Sequence, residues 1–341
     1  MNGKYSEGIE NDISETISML EDMKAKRILL QLPDGLKPYS FDYFNRLSEK
    51  FTVILASSTI YGACDIGSPD IYNGVDCIVQ IGHSTIPNIH YPKPVIFIDH
   101  ARDLEIEDVD TSILEEKSIK SIGILFSVQY RQVAERFAET LRNKGFKVLF
   151  GKRDDRTAYD GQVLGCNFTS AHSVYEEVDA YIIVSTGVFH AIGAQISVEK
   201  EVFLLDMNEK SLKSMKNEAD RFIRRRYGMM FRAGQAKKIC IIVDTKIGQR
   251  REKLASRLLE MSRKAGLNAI TAYADNASDS DFVNMGCDAV VFTGCPRVPI
   301  DDESRYSMPV LTPAEYMRVF FNKSGRYVMD EIVSVDDPAE K

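Results

Sequence analysis

Three of the six cysteines occur beside or near glycine, in segments where a thiol could approach a bound ligand. They lie in Tyr61-Gly62-Ala63-Cys64, Gly165-Cys166-Asn167 and Gly294-Cys295-Pro296. Glycine allows close approach of the backbone, and the cysteine thiolate is a common ligand of zinc and of iron–sulfur clusters. The chain has no local CxxC pair. Only the fold can therefore bring these thiols, which are 102 and 129 residues apart, to one site.

Three thiolates leave one metal position open. They can hold zinc if His83 or a water molecule supplies the fourth ligand. They can also hold a [4Fe–4S] cluster, which usually takes four cysteines, with one iron left open and reactive. The residue types are compatible with both metals.

Three other short segments could contact a substrate. Asp34-Gly35 could bind an amine or a carboxylate, although the sequence Pro-Asp-Gly also suits a tight turn. His83-Ser84 either faces the site or belongs to a hydrogen-bonded loop. Arg297 suits bidentate recognition of a carboxylate, or forms an ion pair within its own loop.

The elements that must position these residues form a threefold repeat. Each copy opens with an apolar run that predicts a strand, at residues 28–32, 122–126 and 239–243. A helical stretch follows, and its periodicity is clear at 132–143 and 249–264. The third strands are the most alike, and they begin Val75-Asp76-Cys77, Val178-Asp179-Ala180 and Cys287-Asp288-Ala289.

Continuously apolar strands that alternate with helices indicate parallel sheets covered on both faces. Right-handed crossovers make each copy a small doubly wound α/β unit. We therefore predict an α/β protein of three repeated small doubly wound parallel-sheet units, at residues 1–115, 116–229 and 230–341, around a central metal site. Ligands gather beyond the carboxyl ends of such strands, where the three cysteines above fall, one in each unit. The alternative is one large Rossmann-like domain with an appendage.

The composition favours a cytoplasmic protein. The 341 residues carry a net charge of −7, with a pI near 5.4, which argues against binding nucleic acid or an anionic membrane. No apolar run is long enough for a membrane span, and residues 1–7 lack the apolar stretch of a signal peptide. In the cytoplasm we expect free thiols, metal ligands or catalytic groups rather than disulfides. Cys77, Cys240 and Cys287, in apolar strand positions, are predicted to be small buried hydrophobes.

Two polar stretches and the missing motifs complete the pattern. Residues 221–227 contain four arginines and are interpreted as a solvated helix face, with a docking patch for an acidic partner as the alternative. Residues 336–341 are predicted to fray. The common signatures of nucleotide-binding loops and zinc proteases are absent from the sequence.

The motifs around the candidate residues resemble those of a known family. They are Gln31-Leu32-Pro33-Asp34-Gly35-Leu36, Tyr61-Gly62-Ala63-Cys64, Gly82-His83-Ser84, Gly161-Gln162-Val163-Leu164-Gly165-Cys166 and Cys295-Pro296-Arg297 with Asp301-Asp302. Together they resemble the diphthamide synthase family, the 2-(3-amino-3-carboxypropyl)histidine synthases, over residues 20–318. With all three cysteines present and no long N-terminal extension, the chain is most similar to the archaeal homodimeric type.

The resemblance implies an enzyme with a [4Fe–4S] cluster on Cys64, Cys166 and Cys295 and with S-adenosylmethionine at the open iron. It implies transfer of the 3-amino-3-carboxypropyl group to C2 of a histidine imidazole on translation elongation factor 2, by radical chemistry that releases methylthioadenosine. An external electron donor and a homodimer are implied as well. The residues expected to bind S-adenosylmethionine are Gln31, Asp34, Gly35, His83, Ser84 and Arg297.

Two alternatives come from other classes. Quinolinate synthase also resembles a triplicated α/β scaffold with three cysteines on a [4Fe–4S] cluster, but its chemistry would need different motifs around them. The other alternative is a protein without enzymatic activity that binds zinc or senses redox state.

Overall fold

Three separate β-sheets follow one another along the residues that the computed structural model describes, namely 2–58, 60–106, 108–321 and 325–335. The segment predicted to fray, 336–341, lies outside these residues. The strands, in chain order, are β1 (Arg27–Gln31), β2 (Thr52–Leu55), β3 (Cys77–Ile81), β4 (Val95–Ile98), β5 (Ser121–Phe126), β6 (Lys147–Phe150), β7 (Ala180–Val184), β8 (Glu201–Asp206), β9 (Ser211–Ser214), β10 (Lys238–Asp244), β11 (Asn268–Ala274), β12 (Ala289–Phe292) and β13 (Val310–Leu311).

The three sheets share one strand order. It is β2-β1-β3-β4 in the first sheet, β6-β5-β7-β8 in the second and β11-β10-β12-β13 in the third. All of these strands pair in parallel, and β9 extends the second sheet in antiparallel fashion beside β8. The central strands β3 and β7 are buried along their whole length, as expected of a sheet with both faces covered. The prediction of three small parallel-sheet units is confirmed.

The connecting helices cover these sheets. No helix among the described residues is long and apolar enough to cross a membrane. The predicted start of one helix at residue 249 was wrong, because residues 245–251 form a loop that reaches towards the first unit. The helices are α1 (Asn2–Asp22), α2 (Ser40–Ser48), α3 (Pro69–Tyr72), α4 (Ser112–Glu116), α5 (Arg131–Asn143), α6 (Thr169–Ser173), α7 (Phe189–Ser197), α8 (Lys216–Ala233), α9 (Glu252–Lys264), α10 (Asp279–Asn284), α11 (Arg297–Asp301) and α12 (Pro313–Phe320).

One aspartate repeats in all three units and explains the sequence echo before each third strand. Asp76 accepts hydrogen bonds from the backbone N–H groups of Lys26 and Arg27, both at 2.9 Å, where β1 begins. Asp179 does the same at the start of β5, and Asp288 at the start of β10. These hydrogen bonds lower the pKa of each carboxyl group. The repeated aspartate therefore ties the first strand of each unit to the third.

Helix α8 connects the second and third units through a buried arginine. Arg226 is fully buried, and it donates from Nε and Nη2 to the carboxylate of Glu315 at 2.8 and 2.7 Å. Arg221, Arg224 and Arg225 are exposed. The interpretation of residues 221–227 as a solvated face is therefore correct for these three arginines and wrong for Arg226. The predicted boundary between the second and third units, at 229/230, falls within α8. The predicted boundary between the first and second units, at 115/116, falls within α4. Both boundaries stay predictions.

Two cysteines predicted to be free are joined in the third unit. Cys240, in β10, forms a disulfide with Cys287, which precedes the neighbouring strand β12, and their Cα atoms are 5.8 Å apart. The structurally equivalent residues of the first unit, Leu29 and Val75, pack together in one apolar cluster. The pairing of β10 with β12 therefore brings the two cysteines together. The expectation of small unbonded hydrophobes at these positions was wrong, whereas Cys77 is buried and free as predicted.

Candidate metal centre

One cavity of about 1160 Å³ lies where the carboxyl ends of the three sheets meet, and all three loop cysteines line it. Cys64 lies in the loop after β2, Cys166 in the loop after β6 and Cys295 in the loop after β12. None of the three is in a disulfide. The structure thus brings together one free thiol from each unit, as the position of the cysteines in the repeat predicts.

The loop before α9 holds two of these cysteines in place. Gln249 is 3% exposed, and its amide nitrogen donates to the Cys64 Sγ atom at 3.3 Å. Its amide oxygen accepts a hydrogen bond from the backbone N–H of Cys295 at 3.1 Å. The preceding Gly248 donates its N–H to the Cys64 carbonyl at 2.9 Å. A Cβ atom at Gly248 would lie 2.5 Å from the Cys64 Cα, so only glycine allows this approach.

Cys166 is held by a segment of the third unit that returns to the cavity. The backbone N–H of Ile332 donates to the Cys166 carbonyl at 2.7 Å. The side chain of Asp330, two residues earlier, forms an ion pair with Arg251 at 2.6 Å. Arg251 also donates to the carbonyl groups of Thr293 and Gly294, which directly precede Cys295. The loops that carry the thiols therefore support one another across unit boundaries.

Burial keeps these thiols protonated while no metal is bound. It raises the pKa of Cys64 to about 12, and the neighbouring Cys166 adds to the rise. Burial also raises the pKa of Cys166, and burial together with the other two thiols raises that of Cys295. A metal binds the thiolate form and so displaces these protons. Without a metal the site therefore contains neutral thiols rather than reactive thiolates, and metal binding would release protons.

The predicted cofactor-binding residues separate into two groups. Gly35, His83, Ser84 and Arg297 line the cavity, whereas Gln31 and Asp34 do not. That Gln31 and Asp34 contact S-adenosylmethionine stays a prediction.

Each of these two side chains has another partner. The Gln31 side chain is buried at the end of β1, where it donates to the Ile66 carbonyl at 2.9 Å and accepts from Gln80 at 3.0 Å. The carboxylate of Asp34 is largely exposed and lies 2.7 Å from the ammonium group of Lys37.

Two of the lining side chains are already engaged with protein groups. The Ser84 hydroxyl accepts a hydrogen bond from Gln162 at 2.8 Å, which connects the first unit to the motif around Cys166. Arg297 donates to Asp301 from Nε at 2.7 Å, and its guanidinium lies 4.1 Å from the centre of the Phe189 ring. Of the two interpretations of Arg297, the ion pair within its own segment is therefore present, with Asp301 as the partner.

Two histidines are neutral in the cavity wall. Burial lowers the pKa of His83 to about 4, and burial with the charge of Arg297 does the same for His190. The buried Nδ1 atom of His83 has no hydrogen-bond partner among the described residues. His190 belongs to none of the motifs that the sequence analysis singled out. Gln249 and Arg156, a buried arginine near the thiols, were missed because neither belongs to a recognisable motif.

The arrangement of the thiols favours a cluster over a single ion. Across the described ranges, no three His, Cys, Asp or Glu side chains form a set that could hold one metal ion. Zinc needs its ligands about 2.0–2.3 Å from a single point, whereas a [4Fe–4S] cluster distributes its thiolate ligands over different iron atoms. Three free thiols around a large cavity fit the second case.

The fold and site define a class: a triplicated α/β protein in which each unit brings one free cysteine to a shared cavity. Residues 32–328 match the family model described as "Putative diphthamide synthesis protein". The chain belongs to this family of diphthamide synthesis proteins.

The similarity of this chain to relatives and to a solved structure extends over almost its whole length. It is 31% identical to a 2-(3-amino-3-carboxypropyl)histidine synthase of Pyrococcus horikoshii over 94% of this chain and 93% of the relative. A synthase of the same name from Methanocaldococcus jannaschii is 25% identical over 91% of this chain and 88% of the relative. The crystal structure of Dph2 from Pyrococcus horikoshii with a 4Fe-4S cluster superposes with a TM-score of 0.86, at 29% identity, over 96% of each chain. Of the two families that the sequence suggested, these matches select the diphthamide synthases over quinolinate synthase.

Proposed function

We propose that this protein is a 2-(3-amino-3-carboxypropyl)histidine synthase that performs the first step of diphthamide biosynthesis. It transfers the 3-amino-3-carboxypropyl group of S-adenosylmethionine to C2 of a histidine imidazole on translation elongation factor 2. The observation that carries this proposal is the cavity in which one free thiol from each unit meets the others. Family membership supplies the identity of the substrate.

Cys64, Cys166 and Cys295 would hold a [4Fe–4S] cluster. A cluster with three thiolate ligands would supply an electron and one open iron for the amine and carboxylate of S-adenosylmethionine. The cavity wall orients the rest of that molecule, because the bond that breaks depends on which carbon is held nearest the iron. Gly35, His83, Ser84 and Arg297 surround this space. Of these, His83 offers an unpartnered buried nitrogen, and as a neutral imidazole it can accept or donate a hydrogen bond there.

The reaction products test the proposal. Anaerobic protein, reduced with dithionite and given S-adenosylmethionine, is expected to release methylthioadenosine rather than 5′-deoxyadenosine. Elongation factor 2 should gain about 101 Da, the mass of the transferred group less that of the hydrogen it replaces. An elongation factor with another residue at the target histidine is the control and should remain unmodified. Release of mainly deoxyadenosine, or an unaltered elongation factor, would contradict the proposal.

The metal content tests the other class of function. The purified protein should be brown and contain iron if it is this synthase. A colourless protein that contains zinc would instead support a zinc-binding or redox-sensing protein without enzymatic activity. An external electron donor would be needed to reduce the cluster before the transfer. The overall transfer is redox-neutral, because the group replaces the C2 hydrogen of the imidazole and a proton is released.

We place the protein in the cytoplasm as a homodimer. The third sheet ends in the edge strand β11, where Ile270 and Tyr273 are about half exposed. An open edge strand with exposed apolar side chains is a surface that a second copy can cover. Sedimentation equilibrium at micromolar concentration should give the mass of a dimer. A strict monomer would contradict this assignment.

A further inference from the structure

A buried arginine lies beside the thiols without a carboxylate to balance its charge. Arg156 is 1% exposed. Its Nη2 atom donates to the Gly248 carbonyl at 3.1 Å, but Nε and Nη1 have no hydrogen-bond partner among the described residues. No described Asp or Glu forms an ion pair with it. A buried cation without a counter-ion is costly, so this site should contain negative charge when the protein is complete.

The surrounding carboxylates are committed to other groups. The Oδ1 atom of Asp154 accepts the backbone N–H of Arg156 at 2.8 Å. Its Oδ2 atom accepts hydrogen bonds from the Asn167 amide and the Thr169 hydroxyl, both at 2.8 Å. These contacts fix the loop that carries Arg156 and engage both oxygen atoms of Asp154. The arginine side chain extends past Asp154 to the third unit, where Gly248 contacts Cys64.

Arg156 lines the same cavity as Cys64 and Cys166, and it donates to the glycine whose N–H holds the Cys64 carbonyl. Its position is fixed by all three units, since the Asp155 carbonyl accepts a hydrogen bond from the backbone N–H of Asn88 at 2.9 Å. The missing negative charge is thus expected at the thiols themselves, once they are ligands.

We propose that Arg156 is a positioning residue that balances the charge of the thiolate-bound cluster and raises its reduction potential. This inference rests on the cluster of the proposed function. Reduction adds a negative charge to the cluster, and a fixed positive charge beside it stabilises the reduced form. Net charge and hydrogen bonds at the sulfur atoms are known determinants of cluster potential. Arg156 therefore makes the cluster easier to reduce by the external donor.

A redox titration of four reconstituted proteins, followed by electron paramagnetic resonance, tests this role. They are the unsubstituted protein, Arg156→Gln, Arg156→Lys and Arg153→Gln. Arg153 lies in the same loop but is exposed, so its substitution removes the same charge without touching the thiols. At the potential that half reduces the unsubstituted protein, Arg156→Gln should have at least a tenfold lower ratio of reduced to oxidised cluster. That ratio corresponds to a potential about 59 mV lower.

The controls separate charge from shape. Arg156→Lys should recover most of the lost potential, and Arg153→Gln should leave it unchanged. An unchanged potential in Arg156→Gln, or an equal loss in Arg156→Lys, would overturn the inference. If Arg156→Gln contains no iron, iron in Arg156→Lys supports the need for a charge, and its absence from both variants overturns it. The unsubstituted protein tests the proposed function. If it contains no reducible cluster, the proposed function itself is refuted.

Discussion

The central cavity and the third sheet each contain cysteines, but the two regions treat them in opposite ways. In the cavity, Cys64, Cys166 and Cys295 come from three different units and remain unbonded beside buried arginine side chains. In the third unit, Cys240 in β10 is bonded to Cys287, which directly precedes the neighbouring strand β12. Loops at the carboxyl ends hold thiols around open space, whereas the pairing of β10 with β12 brings Cys240 and Cys287 into bonding distance. Location in the sheet therefore decides whether a cysteine here is available to a metal.

The largest expected effect distinguishes the two regions directly. Cys64→Ala, Cys166→Ala and Cys295→Ala should each lower the iron bound after anaerobic reconstitution by at least about tenfold, since each removes a ligand. A Cys240→Ala/Cys287→Ala double variant should bind iron at the normal stoichiometry. Iron analysis and visible absorption measure both. A double variant without iron beside an iron-loaded Cys295→Ala protein would reverse the assignment.

The second expected effect is on stability and belongs to the third sheet. The disulfide closes a separation of 47 residues. By the chain-entropy account, a loop of that size contributes about 4 kcal/mol to the free energy of unfolding. The Cys240→Ala/Cys287→Ala variant should therefore unfold at much lower urea concentration. Dithiothreitol should lower the unfolding midpoint of the unsubstituted protein to a similar degree. If the reductant has no effect on that midpoint, these two cysteines do not stabilise the fold through a bond.

The third effect depends on pH and belongs to the cavity. The neutral forms of His83 and His190 are favoured in the folded state, with a pKa of about 4 for each. Their contribution to stability is therefore complete above the ordinary pKa of about 6.5 and is lost as the pH falls towards 4.

Replacing His83 with Asn should remove part of this pH dependence, on the order of 2 kcal/mol between pH 7 and pH 4. Urea unfolding of the metal-free protein at both pH values measures it. The exposed His172 has a pKa raised by Glu331, and His172→Asn serves as the control. An identical pH dependence in the His83 variant and the unsubstituted protein would show that the ring is hydrated.

The smallest effect is expected at the remaining cysteine. Cys77 is fully buried in β3, unbonded and remote from the cavity wall. Cys77→Ala removes a small apolar group and should cost on the order of 1 kcal/mol through the packing defect. Iron binding should be unaffected. Loss of iron in this variant would mean that the division between cavity and sheet is incomplete.

The features that repeat in all three units could be predicted from the sequence. The strands and the places of the three loop cysteines could be predicted because each unit can be compared with the other two. The disulfide was missed for a related reason: Cys240 and Cys287 were each compared with their equivalents in other units and not with each other. In the first unit, the equivalent Leu29 and Val75 share an apolar cluster, and that adjacency was the available signal.

The unrepeated parts of the site depend on contacts between units. Gln249 reaches two cysteines, and Arg156 reaches a glycine 92 residues away, so neither role follows from local sequence. Gln31 and Asp34 belong to a motif of the family, yet their side chains point to Gln80 and to Lys37 rather than to the cavity. A motif identifies which turn matters, but the direction of each side chain is set by its packing.

The segment that supports Cys166 has a consequence for how the protein matures. Ile332 donates to the Cys166 carbonyl, and Asp330 fixes Arg251. Units generally fold in order as they leave the ribosome, so the first two can form while residues 330–332 are still being translated. Cys64 and Cys166 would then be exposed before Cys295 and its supports exist. A cluster held by all three thiols would therefore have to assemble after residues 330–332 have been translated.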